Sequence, residues 1–246
     1  MGVVVNTNIS SITASRILSE NRADLEKAME RLASGKRINS AADDAAGMAV
    51  AAKMRADIGS LNQSVRNTND AISLVNTYDG AAAEIESILI RMRELAVQTR
   101  NGTYEEADRT NANFEYTALK NEITRIAGVS AFNRMTVGQG SSGAAGGTGV
   151  ADTTFTFYVG SDVAKTGNSI TFSAKALDLN LAVSSGTLNS VVDATSAGQA
   201  IATLDDAITE LAANRAQAGA LINRLEHTVS NLMNVSQRLQ EAVSGI

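Results

Sequence analysis

"MRADIGSLNQSVRNTNDAISLV", residues 54–75, is the stretch from which the fold can be read. Met54, Ile58, Leu61, Val65, Thr68, Ile72 and Val75 recur in alternating steps of four and three, and Ile85, Ile88, Met92 and Leu95 take up the same spacing further on. Side chains so spaced fall on one stripe of an α-helix, and a stripe sustained over several heptads needs a partner helix along its length. The spacing predicts a helix from Asp43 to about Thr99. At 1.5 Å per residue that is roughly 85 Å, far more than a globular helix needs. Gly80 is the point expected to loosen it.

Upstream, Leu18, Leu25 and Leu32 repeat every seven residues with Met29 on the same side, predicting a first amphipathic helix from about Ser11 to Ala33. Gly35 suits the left-handed residue that closes a helix, and Lys36 and Arg37 follow the negative end of its dipole. Ser40 followed by Asp43 reads as a capping box, with Asp43 and Asp44 in the first turn of the long helix beside its positive end. The rival reading, a catalytic acid/base pair, needs a cleft and a second perturbed partner such as a histidine, and none is near in sequence. The following "AAGMAVAAKM" is mostly small side chains, which let backbones approach closely and suit tight packing in an assembly.

Downstream, "RNGT" at residues 100–103 is turn chemistry. Tyr116, Leu119, Ile123 and Ile126 then define a third helix, with Gly128 expected to end it. Composition changes at Gly138: "GQGSSGAAGGTG" is glycine- and serine-rich, and "TTFTFYVGSD" and "NSITFSAKALDLNLAV" alternate apolar and polar like paired strands. From Ala197 the helical period returns through Ile201, Leu204, Ile208, Leu211, Ala218, Ile222, Leu225, Val229, Leu232, Leu239 and Val243, with Arg215 and Ser236 as its main polar interruptions. The predicted fold is mainly α, an elongated bundle of long antiparallel coiled-coil-like helices with a small central β-hairpin region.

Composition narrows the function. Proline, cysteine and tryptophan are absent from the 246 residues, aromatics are 4%, and much of the 44% hydrophobic content is alanine, which favours long uninterrupted helices. Without cysteine there is no disulfide or thiolate metal site. A net charge of −5 argues against a phosphate-binding surface, so nucleic acid is not an expected partner. The start "MGVVVNTNISSITASRILSENR" lacks the basic and apolar regions of a secretory signal, and no window offers the roughly 20 apolar residues of a membrane span. Asn6 stands where N-myristoylation wants Ser or Thr. His227, the one histidine, lies in the last amphipathic helix and reads as a surface or partly packed residue rather than a ligand. The glycines of 138–149 are followed by no Gly-Lys-Ser/Thr and read as a loop rather than a phosphate cradle. No motif calls for a cofactor, and the chain is not expected to be an enzyme.

These stretches together resemble bacterial flagellin. "NTNISSI", "ERLASGKRINSAADDAAGMAVAAKMRADI", "RNTNDAISLVNTYDGAAAEI", "RMRELAVQTRNGTY", "EITRIAGVSAFN" and "RAQAGALINRLEHTVSNL" are similar to the family's terminal regions, in the family's order, over about 1–137 and 193–246. The resemblance implies a filament-core helix and linker at 1–42, the N-terminal part of a rod domain with two long helices at 43–137, a short β-rich central region at 138–192, and the rod's C-terminal helix at 193–246. It also implies a helix beyond the point matching "AVSGI", pairing with the N-terminal one, which the sequence ending at Ile246 lacks.

The function so implied is a structural subunit of the flagellar filament for swimming motility. The implied subunit is exported unfolded by the flagellar type III apparatus, is secreted and extracellular, and works with its own copies and with hook-associated and cap proteins. A chain with no cysteine and no proline is well suited to threading through a channel. The family's resemblance places Ser40, Asp43 and Asp44 in a turn among neighbouring subunits. It also matches Arg91, Leu95 and Glu115 to positions read by the vertebrate flagellin-sensing Toll-like receptor, a surface shared with inter-subunit contact; Ile90 departs from the glutamine often found there. The residues alone also allow Arg91 and Glu115 to be a solvated pair between helices and Leu95 a core residue. Two alternatives compete: a hook–filament junction protein built on the same seam, and a chemoreceptor-like signalling rod, which would need a transmembrane span.

Overall fold

The computed structural model describes residues 8–138, 153–160, 167–175, 177 and 190–246. Most of the glycine-rich stretch, the last two residues of the first predicted strand and, apart from Leu177, the second beyond Lys175 lie outside these. The order is α1 (Ile9–Ser34), α2 (Ala45–Arg100), α3 (Glu106–Val129), β1 (Ala131–Phe132), β2 (Met135–Thr136), β3 (Thr153–Tyr158), β4 (Ser169–Ala174) and α4 (Ala194–Gly245). The protein is mainly helical, with two small antiparallel strand pairs among the described residues. By packing it divides into two compact units, one of Met1–Gly59 with Val235–Ile246 and one of Ser60–Asn234, so both long helices run through the two units.

The core of the larger unit is the α2–α4 seam. The buried α2 residues are Leu61, Ser64, Thr68, Ala71, Val75, Tyr78, Ala82, Ile85, Leu89, Met92, Ala96 and Thr99, an unbroken alternation of three and four, with Leu74 and Leu95 beside them. On α4 the line is Ala197, Ala200, Leu204, Ala207, Leu211, Asn214, Ala218, Leu221 and Leu225. Val65, Ile72, Ile88, Ile201, Ile208 and Ile222, expected at the seam's centre, are half-buried flanks instead. Alanine, serine and threonine occupy much of the centre because they let two helix axes come close, while the larger β-branched side chains close over the edges. Arg93 pairs with Asp205, and Arg215 with Asp79 and Glu86, so rising numbers on α2 meet falling numbers on α4 and the two helices are antiparallel.

Gly80 does not interrupt α2, and α3 continues through Gly128 to Val129. Its end is made instead by extended Ser130, whose N–H donates to the Ile126 carbonyl. In β3–β4, Phe155 faces Phe172 and Phe157 faces Ile170 in register. Ile170, Phe172 and Ala174 are buried, and the Phe172 ring meets Tyr78 of α2 edge-on at 5.3 Å. The Tyr78 hydroxyl donates to the Lys175 carbonyl at 3.1 Å, which fixes the hairpin on the helix. Asp193 caps α4, accepting from the backbone N–H of Thr195 and Ser196 at 2.9 and 2.7 Å, a start three residues earlier than the apolar period predicts.

Candidate assembly turn and surface ion pair

In the smaller unit, α1 opens on Asn8, whose side-chain oxygen accepts from Ser11 N–H, and closes on Gly35 at φ 65°, whose N–H donates to the Arg31 carbonyl. The closing glycine was legible from sequence. Not one α1 residue is buried: Leu18, Leu25, Met29 and Leu32 form an apolar stripe open along its length, Leu32 being 83% exposed.

The turn after it corrects the capping box. Ser40 does not cap α2. The Asp43 carboxylate instead reaches back, its Oδ2 accepting from Asn39 N–H at 3.2 Å, Ser40 N–H at 3.1 Å and the Ser40 hydroxyl at 3.3 Å, with Arg31 at 3.6 Å from Oδ1. Asp44 is the cap: its Oδ1 accepts from Gly47 N–H at 2.9 Å and its carbonyl receives Met48 N–H at 3.0 Å. The helix therefore begins at Ala45, not Asp43. The adjacent carboxylates face opposite ways, one closing the turn and one opening the helix. The Ser40 and Asn39 N–H groups, the Ser40 hydroxyl and Arg31 hold Asp43 below the usual carboxylate range. A Cβ at Gly47 would lie 2.5 Å from Asp44 Oδ2 and 2.8 Å from Ile38 Cδ1, so any larger residue here displaces the capping carboxylate or the Ile38 side chain. The small residues after Asp44 thus serve packing within the turn at Gly47.

In the larger unit, Arg91 and Glu115 join α2 to α3. Both Nε and Nη2 of Arg91 donate to Glu115 Oε1, at 2.9 and 2.8 Å, and Nη1 donates to Glu94 Oε2 at 3.0 Å. Glu115 first, then Glu94, pushes the guanidinium pKa further up. The side chains of Arg91 and Glu115 are 50% and 47% exposed, so the pair adds little stability and presents a charged surface. Leu95 is not on that surface. At 2% exposure it belongs to the core, one helical turn beyond Arg91 where the apolar seam takes over. Ile90, Val97 and Phe114, on the same two helices, are exposed apolar residues.

His227 is exposed on α4, where it lines a depression of about 450 Å³ with Arg224, Asn231 and Asn168. Among the described residues no helix is long and apolar enough to cross a membrane.

The profile of the bacterial flagellin N-terminal helical region matches residues 5–142, and that of the C-terminal helical region matches residues 201–246. The chain belongs to the bacterial flagellin family. A flagellin of Halalkalibacterium halodurans is 39% identical over 99% of this chain and 85% of the relative. A flagellar filament core protein of Brachyspira hyodysenteriae is 40% identical over 94% of this chain and 81% of the relative. The crystal structure of Bacillus cereus flagellin superposes with a TM-score of 0.55 at 34% identity, covering 68% of this chain and 88% of that one. Flagellins are structural proteins of the flagellar filament, and this flagellin is not an enzyme. Its N-terminal family match takes in α1, the Asp43–Asp44 turn and the Arg91–Glu115 pair.

Proposed function

We propose that this flagellin is exported unfolded by the flagellar type III apparatus and polymerises with its own copies into an extracellular filament that drives swimming, meeting hook-associated and cap proteins at the filament's ends. The observation that carries the proposal is α1. It is a 26-residue amphipathic helix with no buried residue, and an apolar stripe of that length is stable only when something covers it. Copies arranged in a filament supply that cover, and the turn at Ser40, Asp43 and Asp44 sets the direction in which α1 leaves α2. Electron microscopy of purified protein at increasing concentration tests it. Long uniform filaments are expected from the parent protein, and Leu18→Glu with Leu25→Glu removes them; filaments that persist in the double variant overturn the role given to α1.

In the free subunit, the Arg91–Glu115 surface is what the vertebrate flagellin-sensing Toll-like receptor reads, with Leu95 supporting it from beneath. The support is its accessibility on two packed helices. Arg91→Ala with Glu115→Ala is expected to abolish signalling in receptor-bearing reporter cells while helicity stays at the parent level. Undiminished signalling at equal dose defeats this reading.

A further inference from the structure

The turn between α2 and α3 carries the chain's one Asn-Gly pair, Asn101-Gly102. We propose that Asn101 is a spontaneous modification site, converting with water as sole co-reactant to aspartate and isoaspartate, and that the conversion loosens this turn as the protein ages. In the first step the backbone nitrogen of Gly102 loses its proton and attacks Cγ of Asn101. The new N–Cγ bond closes a five-membered imide, the Cγ–Nδ2 bond breaks, and ammonia leaves. Water then opens the imide. Attack at Cγ restores the ordinary peptide bond and leaves aspartate; attack at the main-chain carbonyl carbon leaves the chain running through Cγ as isoaspartate. An amide and water give a carboxylate and ammonium, with no oxidant or reductant.

Three features favour the first step here. Both residues are exposed. Glycine has no side chain to obstruct its nitrogen, and nothing lies within 4 Å of where a Cβ would stand on Gly102. The bonds that hold the turn leave both reacting groups out: Asn101 N–H donates to the Gln98 carbonyl at 3.2 Å, Tyr104 N–H and Arg109 Nη2 donate to the Asn101 carbonyl, each at 3.3 Å, Arg109 Nε donates to the Thr99 carbonyl at 3.0 Å, and Gln98 Nε2 donates to the Tyr104 hydroxyl at 2.9 Å. The Asn101 side-chain amide and the Gly102 N–H are left without a partner among the described residues. Asn39, followed by Ser40, is the contrast. Its side-chain amide donates to the Glu30 carbonyl, and the following N–H, that of Ser40, donates to Asp43 Oδ2 at 3.1 Å, which ties down both groups the reaction must move.

The product acts on what holds the turn. In isoaspartate the carbonyl that Tyr104 and Arg109 share becomes part of a free carboxylate, and the main chain gains a methylene. In either product the new negative charge stands at the C-terminal end of α2, where the helix dipole disfavours it, and close in sequence to Glu105, Glu106 and Asp108.

The test is incubation of the purified protein in warm, mildly alkaline buffer, followed by trypsin digestion and mass spectrometry against an unincubated control. Cleavage after Arg100 and Arg109 releases the peptide Asn101–Arg109, in which Asn101 is the only side-chain amide, so the mass gain of NH2 replaced by OH is assigned to it alone. Native protein is expected to convert about as fast as protein unfolded in urea, more slowly in mildly acidic buffer, and to be labelled by an isoaspartyl methyltransferase. Gly102→Ala is expected to drop conversion to the level of Asn39. Conversion in urea but none in the native protein, or conversion undiminished in Gly102→Ala, overturns the assignment. Faster hydrogen exchange at Tyr104 N–H in Asn101→Asp than in the parent supports the loosening; equal exchange in that variant and in isoaspartate-enriched protein overturns it.

Discussion

At the scale of residues, Asp43 and Asp44 show how one atom's direction separates two roles. Asp44 holds the Gly47 N–H that α2 would otherwise leave unpaired, so Asp44→Ala is expected to cost about 0.5–2 kcal/mol, in the range of a lost N-cap. Ser40→Ala removes only a 3.3 Å hydroxyl contact to a carboxylate that keeps two backbone donors, and should cost less. Urea unfolding of the two variants checks the order, and a larger loss in Ser40→Ala would restore the capping box. Asp43 adds a pH signature. Its folded pKa is depressed, chiefly by the Ser40 and Asn39 N–H groups. Its stabilisation is therefore present above the unfolded aspartate value of about 3.9 and lost as pH falls through the lower folded value. Asp43→Asn should melt below the parent at neutral pH, with the gap closing in acid. Melting curves that stay parallel from neutral pH to pH 2 would mean that the carboxylate's charge does nothing for the turn.

At the scale of elements, the α2–α4 seam sets stability and the large side chains at its centre carry most of it. Leu225 is fully buried, so Leu225→Ala is expected to cost about 2–5 kcal/mol, measured by denaturant unfolding. Asn214 should behave in the opposite sense. It sits on the buried line, and its Nδ2 has no partner among the described residues. Asn214→Leu is expected to raise stability on the order of 1 kcal/mol by removing a desolvated donor. A loss instead would show that the amide is doing work in the seam, as polar residues that fix helix register do. Sequence made both long helices legible, because a period sustained over many turns is a strong signal, and it made the ends of the seam's large residues legible at Leu61, Leu204 and Leu225. It found Thr68, Val75, Ile85 and Met92 on the centre line but missed Ser64, Ala71 and Ala82, whose small side chains carry little apolar signal, and at two of these positions it took Val65 and Ile72 one residue on instead. The caps divide the same way. Gly35 is a local signal that needs no neighbour, whereas Ser40, Asp43 and Asp44 form two overlapping patterns, and the contacts of Asn39 and Arg31 that choose between them come from folding. Leu95 was misplaced on the recognition surface for the related reason that a resemblance carries position along the chain but not burial.

At the scale of the molecule, the two packed units differ in what they bury. Residues 60–234 hold the apolar core from Ala71 to Leu225, while α1, in the other unit, contributes no buried residue to either. A helix without tertiary packing keeps only its intrinsic stability, which is marginal in water, and so opens at low free energy. Its basic residues Arg16, Arg22, Lys27 and Arg31 are then accessible to trypsin by local opening. Arg66, Arg91 and Arg93 lie on a stretch of α2 anchored by buried side chains every three or four residues, and become cleavable only when the core comes apart. In dilute subunit, brief digestion is therefore expected to cut the α1 sites well before the α2 sites. In filaments the α1 sites should become resistant, because neighbouring copies cover the Leu18, Leu25, Met29 and Leu32 stripe. Fragments mapped by mass spectrometry against time separate the cases. Equal resistance of α1 and α2 in the free subunit would mean that α1 has a packing partner within the subunit, and unchanged α1 cleavage in filaments would mean that assembly does not use the stripe.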